Sequence, residues 1–127
     1  MDHLSAALTQ ITNAAKSHKR SVLIRRSTSV LKNFLLSMES AGYISNIRFI
    51  DDNKCGKILL NLNGRLSRAS AIKPRYNVKN SEIERYRESV LPARQFGHLL
   101  LTTNVGVIDH REAVKLKIGG RILGYFY

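Results

Sequence analysis

Four histidines, one cysteine and nine carboxylates are the residues with which this chain could do nucleophilic, acid–base or metal chemistry. Their spacing assembles none of these. His98, Asp109 and His110 could be imagined as a His-His-Asp set, with Cys55 as a nucleophile. No zinc-type spacing, phosphate-binding glycine loop or G-x-S-x-G elbow accompanies them. His98 reads as a strand histidine at a surface, His110 as a first-turn helix residue, and Cys55 as a thiol in a hairpin turn beside Gly56. A single cysteine forms no internal disulfide and builds no cysteine-based metal site, which suits a reducing compartment. The expectation is a protein that is not an enzyme and carries no cofactor.

The chemistry that remains is recognition, and it centres on Leu99 to Glu112 (L-L-L-T-T-N-V-G-V-I-D-H-R-E). Leucines and threonines make a strand-prone run, which Asn104 and Gly106 break. Asp109 with Glu112 three residues later is the signature of a helix start. The pattern predicts a buried strand delivering a short loop, Thr102 to Gly106, that passes directly into a helix N-terminus. Thr102, Thr103, Asn104 and Gly106 would present hydroxyls, an amide and approachable backbone. Such groups meet phosphates, 2′-hydroxyls and base edges on RNA. An ordinary strand-to-helix connection uses the same residues.

Charge separates these readings. The chain holds 21 Lys and Arg against 9 Asp and Glu, a formal +12. Charge of this sign and size on a small protein predicts a polyanionic partner, most often nucleic acid. It is unevenly spread. No acid occurs from His3 to Met38, which holds Lys16, Lys19, Arg20, Arg25, Arg26 and Lys32, nor from Asn53 to Ser81, which holds Lys57 and Arg75 among seven cations. Two long one-sign segments argue for a basic face.

The elements that must position these residues follow from periodicity. Leu4, Ala7, Leu8, Ile11, Ala14 and Ala15 predict a helix over 2–17. Lys16, His18, Lys19 and Arg20 load its end, where they either complement the helix dipole or touch RNA. A strand over 21–25 leads to Arg26, Ser27 and Thr28, ahead of a second helical stripe closed by Gly42. Arg25, Arg26, Ser27 and Thr28 thus suit a phosphate site at a helix start, or simple capping. Strands over 43–51 and 57–63 form a hairpin. Lys73-Pro74-Arg75-Tyr76 interleaves base, proline and aromatic, and Tyr76 either stacks on a ribose or base or covers a sheet edge. Ser81 to Glu84 reads as a capping box opening a short helix, and Gly119-Gly120 turns the chain into a last strand, 121–127. The result is an α+β fold of two small lobes: an α-β-α-β-β sandwich over 1–64 and a mostly β lobe with short helices over 65–127. At 127 residues it can bury a core without staples. The first residues lack the basic start and apolar run of a secretory signal, and no stretch is long enough to cross a bilayer.

Longer blocks carry a resemblance. A-L-T-Q-I-T-N-A at 7–14, F-I-D-D-N-K-C-G-K-I at 49–58, I-K-P-R-Y-N-V at 72–78, L-P-A-R-Q-F-G-H at 91–98, L-L-T-T-N-V-G-V-I-D-H-R-E-A at 100–113 and G-R-I-L-G-Y-F-Y at 120–127 stand in one order over essentially the full length. In these the chain resembles family eight of the universal small-subunit ribosomal proteins, in its eukaryotic cytosolic form. The resemblance implies a structural protein that binds the central domain of small-subunit rRNA and supports platform assembly and translation. It also implies neighbouring small-subunit ribosomal proteins as partners, with no membrane and no small-molecule substrate. Its place would be cytoplasmic, in the small subunit, with assembly in the nucleolus of a eukaryote. The family's RNA-reading loop falls on Thr102, Thr103, Asn104 and Gly106, with Asn104 where serine is usual. Arg26 stands where a proline is usual and Ser29 where a lysine often follows. The rivals are a free RNA-binding translational regulator and a small basic nuclease using His98 and His110.

Overall fold

Leu4, Leu8 and Ile11 fall on one side of α1 (His3–Lys16), and Leu31, Phe34, Leu35 and Met38 on one side of α2 (Ser29–Ser40). All seven are essentially inaccessible to solvent. The computed structural model describes residues 3–51, 56–72, 76–91 and 97–127. The chain divides into two compact units, Met1–Ala69 and Ser70–Tyr127.

In the first unit, β1 (Ser21–Ile24), β2 (Ile44–Ile50) and β3 (Lys57–Leu62) form an antiparallel sheet in the order β1-β3-β2. β1 and β2 are therefore parallel to each other, joined through α2, with β3 between them. Val22, Ile24, Ile58 and Leu60 turn inward beneath the two helices. Each such aliphatic side chain contributes about 1.5–3 kcal/mol by leaving water. β2 carries a bulge, since Ile44 pairs with Leu62 but Ile47 with Leu60. The ends of α2 are those expected from the sequence. Thr28 accepts the Leu31 N–H at 3.2 Å, and Gly42 follows the helix at φ +87. Gly42 N–H bonds Glu39 O and Tyr43 N–H bonds Met38 O, the paired closure of a glycine-ended helix.

The second unit is a five-stranded sheet. β4 (Ala69–Ala71), β8 (Gly120–Phe126), β6 (His98–Thr103) and β7 (Gly106–Asp109) lie in that order, and β5 (Asn77–Val78) also pairs with β8. Leu99, Leu101, Ile122, Ile83 and Ala113 form its core. Two sequence expectations change here. The loop after Thr103 does not run directly into a helix, because β7 first pairs back along β6 as a hairpin, and only then does α4 (His110–Leu116) begin. Val107 and Ile108 are two apolar residues with little pattern of their own, and a hairpin partner supplies their hydrogen bonds. The helix expected from Ser81 begins at Ile83 as α3 (Ile83–Val90), after a 3-10 turn at Asn80–Glu82. The Glu82 carboxylate, not that of Glu84, reaches back to a backbone N–H, that of Lys79 at 3.4 Å.

Candidate nucleic-acid interface

The β6–β7 hairpin is closed by its own side chains. Thr103 pairs with Gly106 across a turn of Asn104 and Val105. Thr103 Oγ1 donates to Gly106 O at 2.9 Å and accepts the Val105 N–H at 3.3 Å. Gly106 takes φ +116, which a side chain rarely tolerates, so glycine at this position follows from the turn itself. The Thr103 hydroxyl is thus occupied in shaping the tip. The Thr102 hydroxyl and the Asn104 amide are not. Thr102 and Asn104 are exposed, and among the described residues neither side chain has a hydrogen-bond partner.

Both project into an open groove of about 570 Å³ in the second unit. It is also lined by Lys79, Gly119, Gly120 and Arg121, and by one carboxylate, Glu82. Arg121 is steadied by Asn77, whose Oδ1 accepts from Arg121 Nε at 3.3 Å. Gly119 and Gly120 set the width. A Cβ on Gly119 would lie 2.5 Å from Val78 O, and one on Gly120 would lie 2.5 Å from Thr102 O and 2.8 Å from Thr103 Cγ2. The pair brings the start of β8 against the threonines as only unsubstituted backbone can. Sequence reasoning took Gly119-Gly120 for a turn and passed over Asn77, Lys79 and Arg121. The signal was present as a double glycine followed by arginine, but the pairing that sets it beside the threonines is non-local.

The other end of the hairpin is held by a polar cluster. Asp109 accepts the Glu112 N–H at 3.0 Å as the N-cap of α4. Its second oxygen lies 3.1 Å from His98 Nδ1, and the His98 ring stacks on Phe126 at 5.1 Å. His110 is buried, and its Nδ1 accepts the Leu99 N–H at 3.2 Å. Burial holds the His110 pKa below the ordinary histidine value, against the pull of the Asp109 charge. Burial alone would raise Asp109, but the bonds from His98 and the Glu112 N–H, with the histidine charges, bring it down to about 2. The three residues imagined as a catalytic set are therefore brought together, in structural roles. Each fixes β6, β7 or α4.

The remaining predicted residues lie elsewhere. Arg25 and Arg26 are exposed after β1, Ser27 and the capping Thr28 are half-buried, and Lys57 opens β3. Ile24 pairs with Ile58, so Arg25 and Lys57 follow at one end of the ladder. Ser27 Oγ lies where a Cβ on Gly56 would come within 2.9 Å. These five lie where β1 leads into α2 and where β3 begins, in the first unit. Tyr76, in the second unit beside Asn77, is 49% exposed, and its ring leans on Tyr86 with centroids 6.4 Å apart. Arg75 and Cys55 lie outside the described residues. Among the described residues no group of three potential ligands could hold a metal, and no helix is long and apolar enough to cross a membrane.

Comparison with known proteins gives a consistent result. The family model described as ribosomal protein S8 matches residues 2–127. Small ribosomal subunit protein uS8A of Candida albicans is 49% identical over 124 residues, covering 98% of this chain and 95% of that protein. The uS8A protein of Saccharomyces cerevisiae is 48% identical and the uS8 protein of Neurospora crassa 47%, each with the same coverage. These names are those of ribosome components and not of enzymes. On a match of this length and identity, the chain belongs to the ribosomal protein S8 family.

Proposed function

We propose that this protein is a structural constituent of the cytosolic small ribosomal subunit. It binds the central domain of small-subunit rRNA and supports platform assembly, beside neighbouring ribosomal proteins and after nucleolar loading. The observation that carries the RNA reading is the groove at the hairpin tip. The Thr102 hydroxyl and Asn104 amide, without a hydrogen-bond partner among the described residues, share this groove with glycine backbone, Lys79 and an oriented Arg121, and its one carboxylate, Glu82, is engaged by the Lys79 N–H. Small donors and acceptors set in a shallow groove and flanked by cations suit the minor-groove face and backbone of RNA. Thr103 and Gly106 shape the tip. Arg25, Arg26, Ser27, Thr28 and Lys57 offer a second phosphate contact on the first unit, the exposed Tyr76 ring offers a stacking contact, and Arg75 is included for its charge in the sequence alone.

Binding to a central-domain rRNA fragment tests this, and two results are expected. Affinity falls steeply with salt, by about 0.7–0.9 log units per log unit of salt for each phosphate neutralised, and Arg25→Gln flattens that slope by one such increment. Thr102→Val keeps shape and removes a hydroxyl that makes no hydrogen bond among the described residues. It therefore leaves the melting temperature unchanged and weakens binding about 10-fold, the worth of one hydrogen bond to a charged group. Unchanged affinity in Thr102→Val would remove the groove from the RNA interface.

A further inference from the structure

The end of α1 is built against local stability. Ser17 follows the helix, and the next residue, His18, takes φ +59. His18 N–H bonds Ala15 O at 3.2 Å and Lys19 N–H bonds Ala14 O at 3.0 Å. The same closure ends α2, where the left-handed residue is Gly42, and α4, where it is Lys117 at φ +57. Glycine takes that conformation without the Cβ contact every other residue suffers. At α1 the chain accepts the penalty and gains an imidazole.

That imidazole has company. Lys16, His18, Lys19 and Arg20 are all exposed, and all line a cavity of about 770 Å³ in the first unit together with Asn61 and Asn63. Among the described residues no acid lines it. Arg20 O accepts the Leu62 N–H at 2.8 Å, so the turn is pinned to β3. A helix C-terminus carries about half a negative charge, which one cation matches, so the further two exceed what the helix needs. Among the described residues no Phe, Tyr or Trp lines the cavity, so it lacks the large apolar anchors of many protein–protein interfaces. A flexible polyanion needs none.

We infer that the cavity at the end of α1, walled by Lys16, His18, Lys19 and Arg20, is a phosphodiester-binding site for RNA, separate from the hairpin groove and from the contact proposed at Arg25 and Lys57. The inference rests on the rRNA-binding reading above and adds a contact to it.

The test uses the full chain and a central-domain rRNA fragment, with Lys19→Gln/Arg20→Gln as one variant and His18→Gly as another. The double variant is expected to bind about 10- to 30-fold more weakly near physiological salt, with the salt slope reduced by about 1.4–1.8. His18→Gly should move two readouts in opposite directions, raising the melting temperature by about 3–5 °C and lowering RNA affinity. Affinity and slope equal to wild type in both variants would overturn the inference, as would a double variant whose weaker binding is matched by lost thermal stability. So would variants that bind rRNA normally but lose retention on polyglutamate, which would mark a protein-facing surface. Failure of the rRNA-binding reading looks different, because wild type itself would not then bind the fragment, or Thr102→Val would bind as wild type does.

Discussion

Gly120→Ala is expected to weaken binding to central-domain rRNA about 30- to 100-fold, the equivalent of roughly 2–3 kcal/mol. Gly120 does not have a positive φ, so alanine meets no backbone penalty and the effect is one of space. The new methyl would stand 2.5 Å from Thr102 O and 2.8 Å from Thr103 Cγ2, closer than carbon can approach either. The first of these is backbone in mid-ladder and cannot swing aside as a side-chain end can. β8 and the hairpin tip must therefore separate, which displaces Thr102 from Arg121 and opens the groove. Overpacking of this kind costs about 1–3 kcal/mol of stability as well. Circular dichroism and calorimetry establish how much folded protein remains, and binding is measured on that fraction. Gly106→Ala is the counterpart, because nothing lies within 4 Å of its new methyl and only the φ +116 backbone is strained. It should distort the tip locally and leave the Gly120–Thr102 approach intact. Wild-type affinity in folded Gly120→Ala would mean that the width of this groove has no part in RNA recognition.

What the sequence shows of this molecule is what local rules govern. The stripes of α1 and α2, the Thr28 and Asp109 caps and the Gly42 stop each depend on residues within one or two turns, and each stands where spacing placed it. The two departures in the second unit have the same origin. β7 exists because β6 hydrogen-bonds it, and four residues with a glycine at one end carry too little pattern to announce a strand. Asn80–Glu82 tightens into a 3-10 turn where Gly119 packs against Val78–Asn80, a contact between positions some forty residues apart. The candidate site divides likewise. Threonine, asparagine and glycine at 102–106 suggest recognition on composition alone. Which hydroxyl is spent on the turn and which remains open depends on geometry, and Lys79, Asn77 and Arg121 join them only through β5 and β8 pairing.

The His98–Asp109–His110 cluster makes the stability of the protein depend on pH in a direction its geometry fixes. His110 Nδ1 accepts the Leu99 N–H in the core, so the folded protein requires the neutral ring. Its native pKa lies below the ordinary value of 6.5, and the unfolded chain therefore takes up the proton first. Stability from this group is fully present above pH 6.5 and declines as pH falls below it. A second loss follows at lower pH. Asp109 is held at about 2 against an ordinary 3.8, so a further ~2 kcal/mol disappears as pH falls through that interval. Urea midpoints measured from pH 8 to pH 2 should trace both steps. His110→Asn offers a side-chain oxygen near the position of Nδ1 and cannot titrate, so it should keep most of the stability and flatten the upper step. His110→Leu fills the space but leaves the Leu99 N–H buried and unpaired. It should cost about 2–3 kcal/mol at pH 8, where the wild-type ring is already neutral. If His110→Asn retains the full wild-type dependence between pH 7 and 5, another group drives it. If His110→Leu is as stable as wild type at pH 8, the Leu99 bond contributes nothing, and the hairpin is anchored through Asp109 and Phe126 alone.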